Sequence, residues 1–339
     1  MTFSCSHTSM AVVLSIQTYN FEERKMETQN KKGVTSFVIK VVAIVTMFID
    51  HTAAVFLERQ LSNPAKAFVS GPEYYYKIYR IDQVMRGIGR IAFPLFIFLL
   101  IQGFMHTKSK YKYAFRLGLF ALISEVPFDM AFRNSYFSTS YQNVFFTLFL
   151  GFMFMLLTDL IYQKNIPPVL GYAGIIASSL VGGAFIAKYL KMVDVPRFSE
   201  LADKSLLGAV ALVAAVVAVI EILVCLKRPF EDLSKLALSM LVLSAAMWAA
   251  YLLNTDYSAA GVIAIAIAFA LRKNKLACFL GALAALVMFS STFEIYAIFG
   301  AILIFFYNGE RGKSMKYFFY AFYPCHLLLI SLTAMFLGL

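Results

Sequence analysis

The first long apolar segment carries an acid–base pair. Asp50 and His51 lie 10 and 11 residues after Lys40, or about 15–16 Å along a helix that rises ~1.5 Å per residue. At that membrane depth an ionisable group costs about 2.5–3.5 kcal/mol on insertion scales, so its presence there indicates a structural or functional role. A neutral imidazole there can take a proton, and Asp50 or a carboxylate from another helix can hold its tautomer. The alternative is a structural histidine bonded to a serine or a carbonyl group on another helix.

Two arginines precede the second apolar segment. Arg86 and Arg90 are four residues apart, so on a helix they project from one face. Two guanidinium groups on one face suit a phosphate or pyrophosphate, and Gly87 and Gly89 permit a close backbone approach. The alternative is that both arginines extend to lipid headgroups at the membrane surface.

A pair of carboxylates lies in the third apolar segment. Glu125 and Asp129 are also four residues apart and share a helix face across a proline kink. They can pair with Arg86 and Arg90 in an architectural role, or they can hold a proton or orient His51. Both roles remain open at this point.

Further polar side chains lie at the start of the fourth apolar segment and within the last one. Asn143 can hydrogen-bond across helices, and Tyr323 and His326 lie on either side of a helix-kinking proline. Histidines and carboxylates spread over separate segments lack paired ligand spacing, so no metal site is predicted. The four cysteines show no CxxC pairing, so no disulfide framework is predicted either.

The composition indicates that a membrane must position these residues. Of 339 residues, 60% are hydrophobic and only 14% are charged, whereas soluble domains carry about 25% charged residues. This excludes a disordered chain, a nucleic-acid-binding module and a water-soluble enzyme. The formal net charge of +11 is typical of basic loops at a membrane surface, so the expected partner is a lipid bilayer and not nucleic acid.

Eleven apolar segments can supply the spans. They cover roughly residues 36–57, 91–106, 112–132, 141–163, 168–187, 205–226, 234–253, 257–271, 276–291, 293–307 and 315–337. A span needs about 20 residues, and the three segments between 257 and 307 are shorter than that. Within lipid, a single apolar run can satisfy its own backbone hydrogen-bonding groups only as a helix. The sequence therefore predicts an all-α polytopic transmembrane helix bundle with about 10–11 spans.

The chain divides into a polar N-terminal tail, residues 1–35, and one transmembrane domain, residues 36–339. We expect the tail to be disordered, or the natural start to be Met26. The distribution of basic residues between the loops places the N-terminus inside the cell and the C-terminus outside.

Several of these stretches resemble, in order, proteins of the TraX family. The resemblance begins with residues 39–51 and continues through GRIAFPLFIFLLIQGFMHT, KYAFRLGLFALISEVPFDMAF and QNVFFTLFLG to the closing KYFFYAFYPCHLLL. It runs over residues 39–330, although residues 160–250 contribute little. TraX proteins are associated with N-terminal acetylation of conjugative pilin. They are more distantly similar to multi-span acyltransferases that acetylate envelope glycans or heparan glucosamine.

The resemblance implies transfer of an acyl group, usually acetyl from acetyl-CoA, to an amine or hydroxyl acceptor at or across the bacterial cytoplasmic membrane. His51 occupies the position of the relatives' catalytic histidine, with Asp50 beside it. Arg86 and Arg90 correspond by type to the paired arginines of polysaccharide acyltransferases. The donors expected for a developing oxyanion are Asn143, Tyr323 or His326.

Acetyl-CoA is the expected acyl donor, and no permanently bound cofactor is expected. Its phosphates would bind the basic loops Lys108–Lys112 and Lys313–Lys316, or an arginine pair. If Arg86 and Arg90 lie outside, they would instead bind an anionic acceptor or pair with the carboxylates of the third segment. Transfer proceeds by direct attack or through an acetyl-His51 intermediate.

The sequence leaves open whether the acceptor is a pilin N-terminus or an envelope glycan. It also leaves open whether the protein forms a homo-oligomer. The competing interpretation is a proton-coupled multi-span transporter, because buried Asp, Glu and His residues also fit a proton pathway. The lack of an internal repeat argues against that interpretation.

Overall fold

The computed structural model describes residues 32–62, 64–192, 196–225 and 230–338. These residues are almost entirely helical, and among them only two isolated β-bridges occur, Val34 with Tyr307 and Gln142 with Thr255. The predicted all-α class is confirmed. Met26 and most of the predicted tail lie outside the described residues.

The helices follow the apolar segments closely. In chain order they are α1 (Ser36–Leu61), α2 (Pro64–Gly89), α3 (Ala92–His106), α4 (Lys110–Phe132), α5 (Val144–Tyr162), α6 (Pro168–Met192), α7 (Pro196–Lys204), α8 (Leu206–Cys225), α9 (Phe230–Leu252), α10 (Ser258–Ala270), α11 (Lys275–Phe289), the 3₁₀ helix Thr292–Phe299, α12 (Gly300–Phe305) and α13 (Lys316–Phe336). Each of the eleven predicted segments falls on a helix.

The described residues include six helices that are long and apolar enough to cross a membrane. One of them covers Gly71–His106, where α2 and α3 follow each other almost without interruption. Four further apolar helices are shorter. The chain is therefore a multi-pass membrane protein. Because its polar and aromatic residues interrupt every apolar run, α2 was not among the predicted segments.

The centre of the bundle is formed by two buried apolar clusters. The larger one contains Phe98, Phe152 and Phe279. The smaller one joins α1, α4 and α13, and includes Met47 and Leu327. Because α13 packs against both α4 and α1, the last helix of the chain lies beside the first. The α6–α8 hairpin packs on α9 and carries none of the predicted site residues.

The α1 helix changes its winding beside the acid–base pair. Residues Ala53–Leu57 form a π-helical segment that begins two positions after His51. Such segments interrupt the regular backbone bonds and are frequent at functional sites. Here the segment continues α1 towards Glu58, whose side chain takes part in the site described below.

Candidate functional site

His51 on α1 lies directly against His326 on α13. Nδ1 of His51 is 2.8 Å from Nε2 of His326. The ring planes differ by only 8° and their centroids are 5.0 Å apart, which is the nitrogen–nitrogen distance plus the two ring radii. The rings therefore meet edge to edge in nearly one plane, which is compatible with a linear hydrogen bond between the two nitrogens. The sequence placed these histidines on separate segments and did not predict their contact.

Aromatic side chains confine the two imidazoles. The rings of Phe132 and Tyr323 contact His51 edge-on, at centroid distances of 5.4 and 6.0 Å. The ring of Phe322 stacks on His326 at 4.8 Å. His326 is buried, with 4% of its surface exposed. The surrounding rings leave little room for either imidazole to turn.

Asp50 binds the paired arginines. Arg86 Nη1 donates to its Oδ2 at 2.6 Å, and Arg90 Nη2 donates to its Oδ1 at 3.0 Å. Over the part of the chain that the structure describes, no hydrogen bond joins Asp50 to His51. The expectation that Asp50 orients His51 is therefore wrong, because both arginines converge on its carboxylate from the end of α2.

Two further carboxylates complete the arginine network. Arg86 Nε lies 3.0 Å from Glu58 Oε1, and Arg90 Nη1 lies 3.0 Å from Glu294 Oε1. The side chain of Glu294 is only 2% exposed, whereas that of Glu58 is 46% exposed. The arginines do share a face, as predicted, but this chain's own carboxylates already occupy their guanidinium groups.

Glu125 and Asp129 lie away from the arginines. Oε2 of Glu125 accepts hydrogen bonds from the backbone and side-chain amides of Asn143, and Asp129 Oδ2 accepts from the backbone N–H of Ser138 at 2.6 Å. Of the roles left open for these carboxylates, the pairing with Arg86 and Arg90 is therefore wrong, and within the described residues neither carboxylate bonds to His51. Their shared face on α4 points to the loop that leads into α5 and not to α2.

Asn143 begins α5 and has little capacity left for a ligand. Its Nδ2 donates to Glu125 and, at 2.8 Å, to the carbonyl of Ala121. Its Oδ1 accepts from the backbone N–H of Phe145 at 3.0 Å, as a helix cap does. Both ends of the amide thus fasten α4 to α5, so the geometry does not offer Asn143 as an oxyanion donor.

His51 opens onto a cavity of about 300 Å³, here called the polar cavity. The formal charges of its lining residues balance, because there are three carboxylates and three guanidinium groups: Asp50, Glu58, Asp256, Arg86, Arg90 and Arg133. Tyr141 also lines it and donates a hydrogen bond to Asp256 Oδ1 at 2.8 Å. Burial raises the pKa of the Asp256 carboxyl above its ordinary value, and the Tyr141 hydrogen bond opposes that rise.

A second cavity, here called the basic cavity, has a volume of about 610 Å³. Six basic side chains line it: Lys40, Lys108, Arg116, Arg311, Lys313 and Lys316. Among its described lining residues there is no carboxylate. The two basic loops that were predicted separately thus contribute to one strongly cationic site.

A thin apolar wall lies between the two cavities. Met47, Phe96 and Val144 line both of them. Tyr323 lines the basic cavity while its ring contacts His51. His51 therefore lies where the cationic and the charge-balanced compartments approach each other.

Three site residues had no role in the sequence-based prediction. Glu58, Asp256 and Glu294 supply the remaining carboxylates around the arginines. The signal for Glu294 is its position beside an apolar segment, where a carboxylate requires a partner. Asp256 lies in a short polar loop, and nothing in the sequence distinguishes it from a solvated aspartate.

Comparisons with known proteins agree with the resemblance. The profile of the TraX protein family matches residues 36–228 and 197–334, which together make up most of the chain. A probable fimbrial assembly protein, FimC of serogroup H1 from Dichelobacter nodosus, is 30% identical over 133 residues. That match covers 36% of this chain and 46% of the fimbrial protein. No solved structure matches the chain.

Proposed function

The chain belongs to the TraX protein family, and we propose that it is an integral membrane acyltransferase that moves an acyl group, usually acetyl from acetyl-CoA, to an amine or hydroxyl acceptor. The observation that carries the proposal is the position of His51 beside the wall between a strongly cationic cavity and a charge-balanced one. A donor and an acceptor of different charge can approach one imidazole from these two sides.

The basic cavity suits the donor. Coenzyme A carries a 3′-phosphate and a pyrophosphate, and clustered lysine and arginine side chains bind such groups through charge-assisted hydrogen bonds. The volume of about 610 Å³ lies within the usual range for cofactor-sized sites. The apolar inner end at Met47 and Phe96 would receive the pantetheine arm and bring the thioester towards His51.

The reaction is a balanced acyl transfer. Nε2 of His51 takes the N–H or O–H proton of the acceptor while the acceptor's lone pair attacks the thioester carbonyl. The tetrahedral oxyanion then collapses, the C–S bond breaks, and the thiolate of coenzyme A leaves with the proton from His51. Among the expected oxyanion donors, Tyr323 is the best placed, because it lies between the basic cavity and His51. A route through acetyl-His51 uses the same nitrogen.

The polar cavity favours an acceptor without a strong negative charge. Arg86 and Arg90 are already bound by carboxylates of the same chain, so neither of these two arginines offers an unoccupied fork to an anion, and the lining as a whole carries as many carboxylates as guanidinium groups. The similar protein from Dichelobacter nodosus bears the name of a fimbrial assembly protein. We therefore propose the N-terminal amine of a fimbrial subunit as acceptor, with the amine or hydroxyl of an envelope glycan as the other option.

The two cavities also suggest an orientation in the bacterial cytoplasmic membrane. The start of α1, at Ser36 and Lys40, lines the basic cavity, whereas its later residues from Asp50 to Glu58 line the polar cavity. Acetyl-CoA is a cytoplasmic metabolite, so the start of α1 would face the cytoplasm. The acceptor would then enter from the outer side, and transfer would occur across the membrane.

The test is acetyl transfer by purified protein in proteoliposomes with radiolabelled acetyl-CoA. The acceptor probe is a synthetic peptide with a free N-terminal amine, and the same peptide with a blocked N-terminus is its control. We expect thiol release and peptide labelling that His51→Gln abolishes at unchanged folding. If the wild type shows no thiol release and no thermal stabilisation by acetyl-CoA, the proposal is refuted and a transporter is favoured.

A further inference from the structure

The hydrogen bonds around His326 determine which ring nitrogens carry protons. Nδ1 of His326 lies 2.8 Å from the carbonyl oxygen of Phe322, and a carbonyl can only accept, so Nδ1 must be the donor. A neutral imidazole carries a single N–H, which leaves Nε2 of His326 as an acceptor. The 2.8 Å contact with Nδ1 of His51 then requires His51 to donate from Nδ1.

A doubly protonated His326 does not fit its surroundings. The ring is buried, and a buried cation requires a compensating partner. In the described ranges no carboxylate bonds to His326, and the cavity beside its partner His51 already contains the guanidinium groups of Arg86 and Arg90. The neutral ring, with its proton on Nδ1, is the form that these contacts support.

We infer that His326 is the positioning residue that holds His51 in the Nδ1–H tautomer and leaves Nε2 of His51 unprotonated as the proton acceptor. The neutral histidine side chain in water prefers the opposite tautomer, with the proton on Nε2. That form would place two acceptor nitrogens, Nδ1 of His51 and Nε2 of His326, against each other. This inference deepens the proposed acyl transfer and, in its catalytic consequence, rests on it.

The arrangement divides two tasks between the histidines: His51 takes the proton, and His326 fixes the tautomer of His51. His51 contacts the polar cavity, whereas His326 lines neither cavity. In serine hydrolases, a carboxylate holds the catalytic imidazole in its tautomer. Here a second neutral imidazole, that of His326, takes that position and is itself fixed by a backbone carbonyl. The carboxylate of Asp50 instead binds the two arginines. When Nε2 of His51 takes a proton, its Nδ1–H bond to His326 becomes charge-assisted and strengthens.

The tautomers can be measured without any acyl transfer. In a His7→Gln, His106→Gln background, His51 and His326 are the remaining histidines. Solid-state nitrogen NMR of histidine-labelled protein in proteoliposomes distinguishes protonated from unprotonated ring nitrogens. We expect both rings to carry the proton on Nδ1, with a correlation between Nδ1–H of His51 and Nε2 of His326. A proton on Nε2 of His51 would overturn the inference.

Two substitutions of His326 separate orientation from packing. A glutamine carbonyl can occupy the position of Nε2 and accept from His51, whereas an asparagine amide reaches only the position of Nδ1. We expect His326→Gln to retain most of kcat and His326→Asn to lose about 10²–10⁴-fold, with KM for acetyl-CoA changed by less than about twofold. Cys325→Ser, on an exposed position of α13, is the folding and expression control.

The outcomes test the positioning role of His326 separately from the proposed acyl transfer. Equal kcat in His326→Gln and His326→Asn at matched melting temperatures would overturn the positioning role. If the wild type shows both Nδ1–H tautomers but transfers no acetyl group, the tautomer assignment stands and the proposed function fails.

Discussion

Gly89 on α2 lies directly against the carboxylate of Asp50 on α1. A Cβ atom at Gly89 would come within 2.2 Å of Asp50 Oδ1 and 2.3 Å of its Cβ. Glycine is thus the residue that lets the end of α2 approach α1 closely enough for Arg86 and Arg90 to reach one carboxylate. This contact joins the arginine network to the helix that carries His51.

Gly89→Ala should destabilise the protein, although alanine normally favours a helix over glycine by about 1 kcal/mol. The added methyl group must displace the Asp50 carboxylate, and overpacking of this kind costs about 1–3 kcal/mol. Gly87→Ala is the matched control, because its Cβ would meet Tyr296 only at 3.6 Å. Thermal unfolding in detergent measures both variants. A melting temperature for Gly89→Ala at or above that of Gly87→Ala would contradict the close approach.

Arg90→Lys should be more harmful than Arg86→Lys. A lysine keeps the charge but cannot bridge two carboxylates with a planar fork. Loss of the Arg90 contact leaves the buried Glu294 unpaired, whereas the Glu58 partner of Arg86 is half exposed and its pair contributes about 0–1 kcal/mol. Unfolding and acetyl transfer should both show this order.

Glu294→Gln should partly rescue Arg90→Lys. The second substitution removes the unpaired buried charge, whose cost is about 3–5 kcal/mol when one partner of a buried pair is lost. The measurement is a double-mutant cycle on the free energy of unfolding. Additive effects of the two substitutions would show that Arg90 and Glu294 are not coupled.

Lys313→Glu and Lys316→Glu should raise KM for acetyl-CoA while leaving kcat nearly unchanged. Both side chains line the basic cavity, and each lost hydrogen bond to a charged group costs about 1.5–3 kcal/mol, or roughly tenfold or more in affinity. Lys273→Glu, an exposed basic residue outside that cavity, is the control. An equal increase in KM for Lys273→Glu would indicate only a general loss of surface charge.

Asp256→Asn should stabilise the protein increasingly as pH rises. Burial raises the pKa of the Asp256 carboxyl in the folded state, so its ionisation opposes folding. The wild type therefore loses stability relative to the variant from about pH 4, the ordinary aspartate range, up through the raised pKa. Below that range both side chains are neutral, so the two stability curves should converge. A difference that shrinks with rising pH would contradict the direction of the pKa shift.

The apolar runs alone were enough to predict the helices. Each of the eleven segments falls on a helix, because backbone groups in lipid must be satisfied within the segment itself, which is a local requirement. The exceptions are α2, whose polar and aromatic residues make no continuous apolar run, and the short polar helix α7. Helical spacing also correctly placed Arg86 and Arg90 on one side, since both reach Asp50.

Partners across the bundle were decided only by the tertiary structure. Glu125 and Asp129 have the same four-residue spacing as the arginines, yet they bind Asn143 and Ser138. His51 and His326 are 275 positions apart, and nothing in either segment indicates their contact. A sequence pattern specifies which residues share a helix face, but the rotation and neighbours of that helix depend on packing among all the others. For that reason Asp50, adjacent to His51 in the chain, serves the arginines, while the distant His326 holds the imidazole.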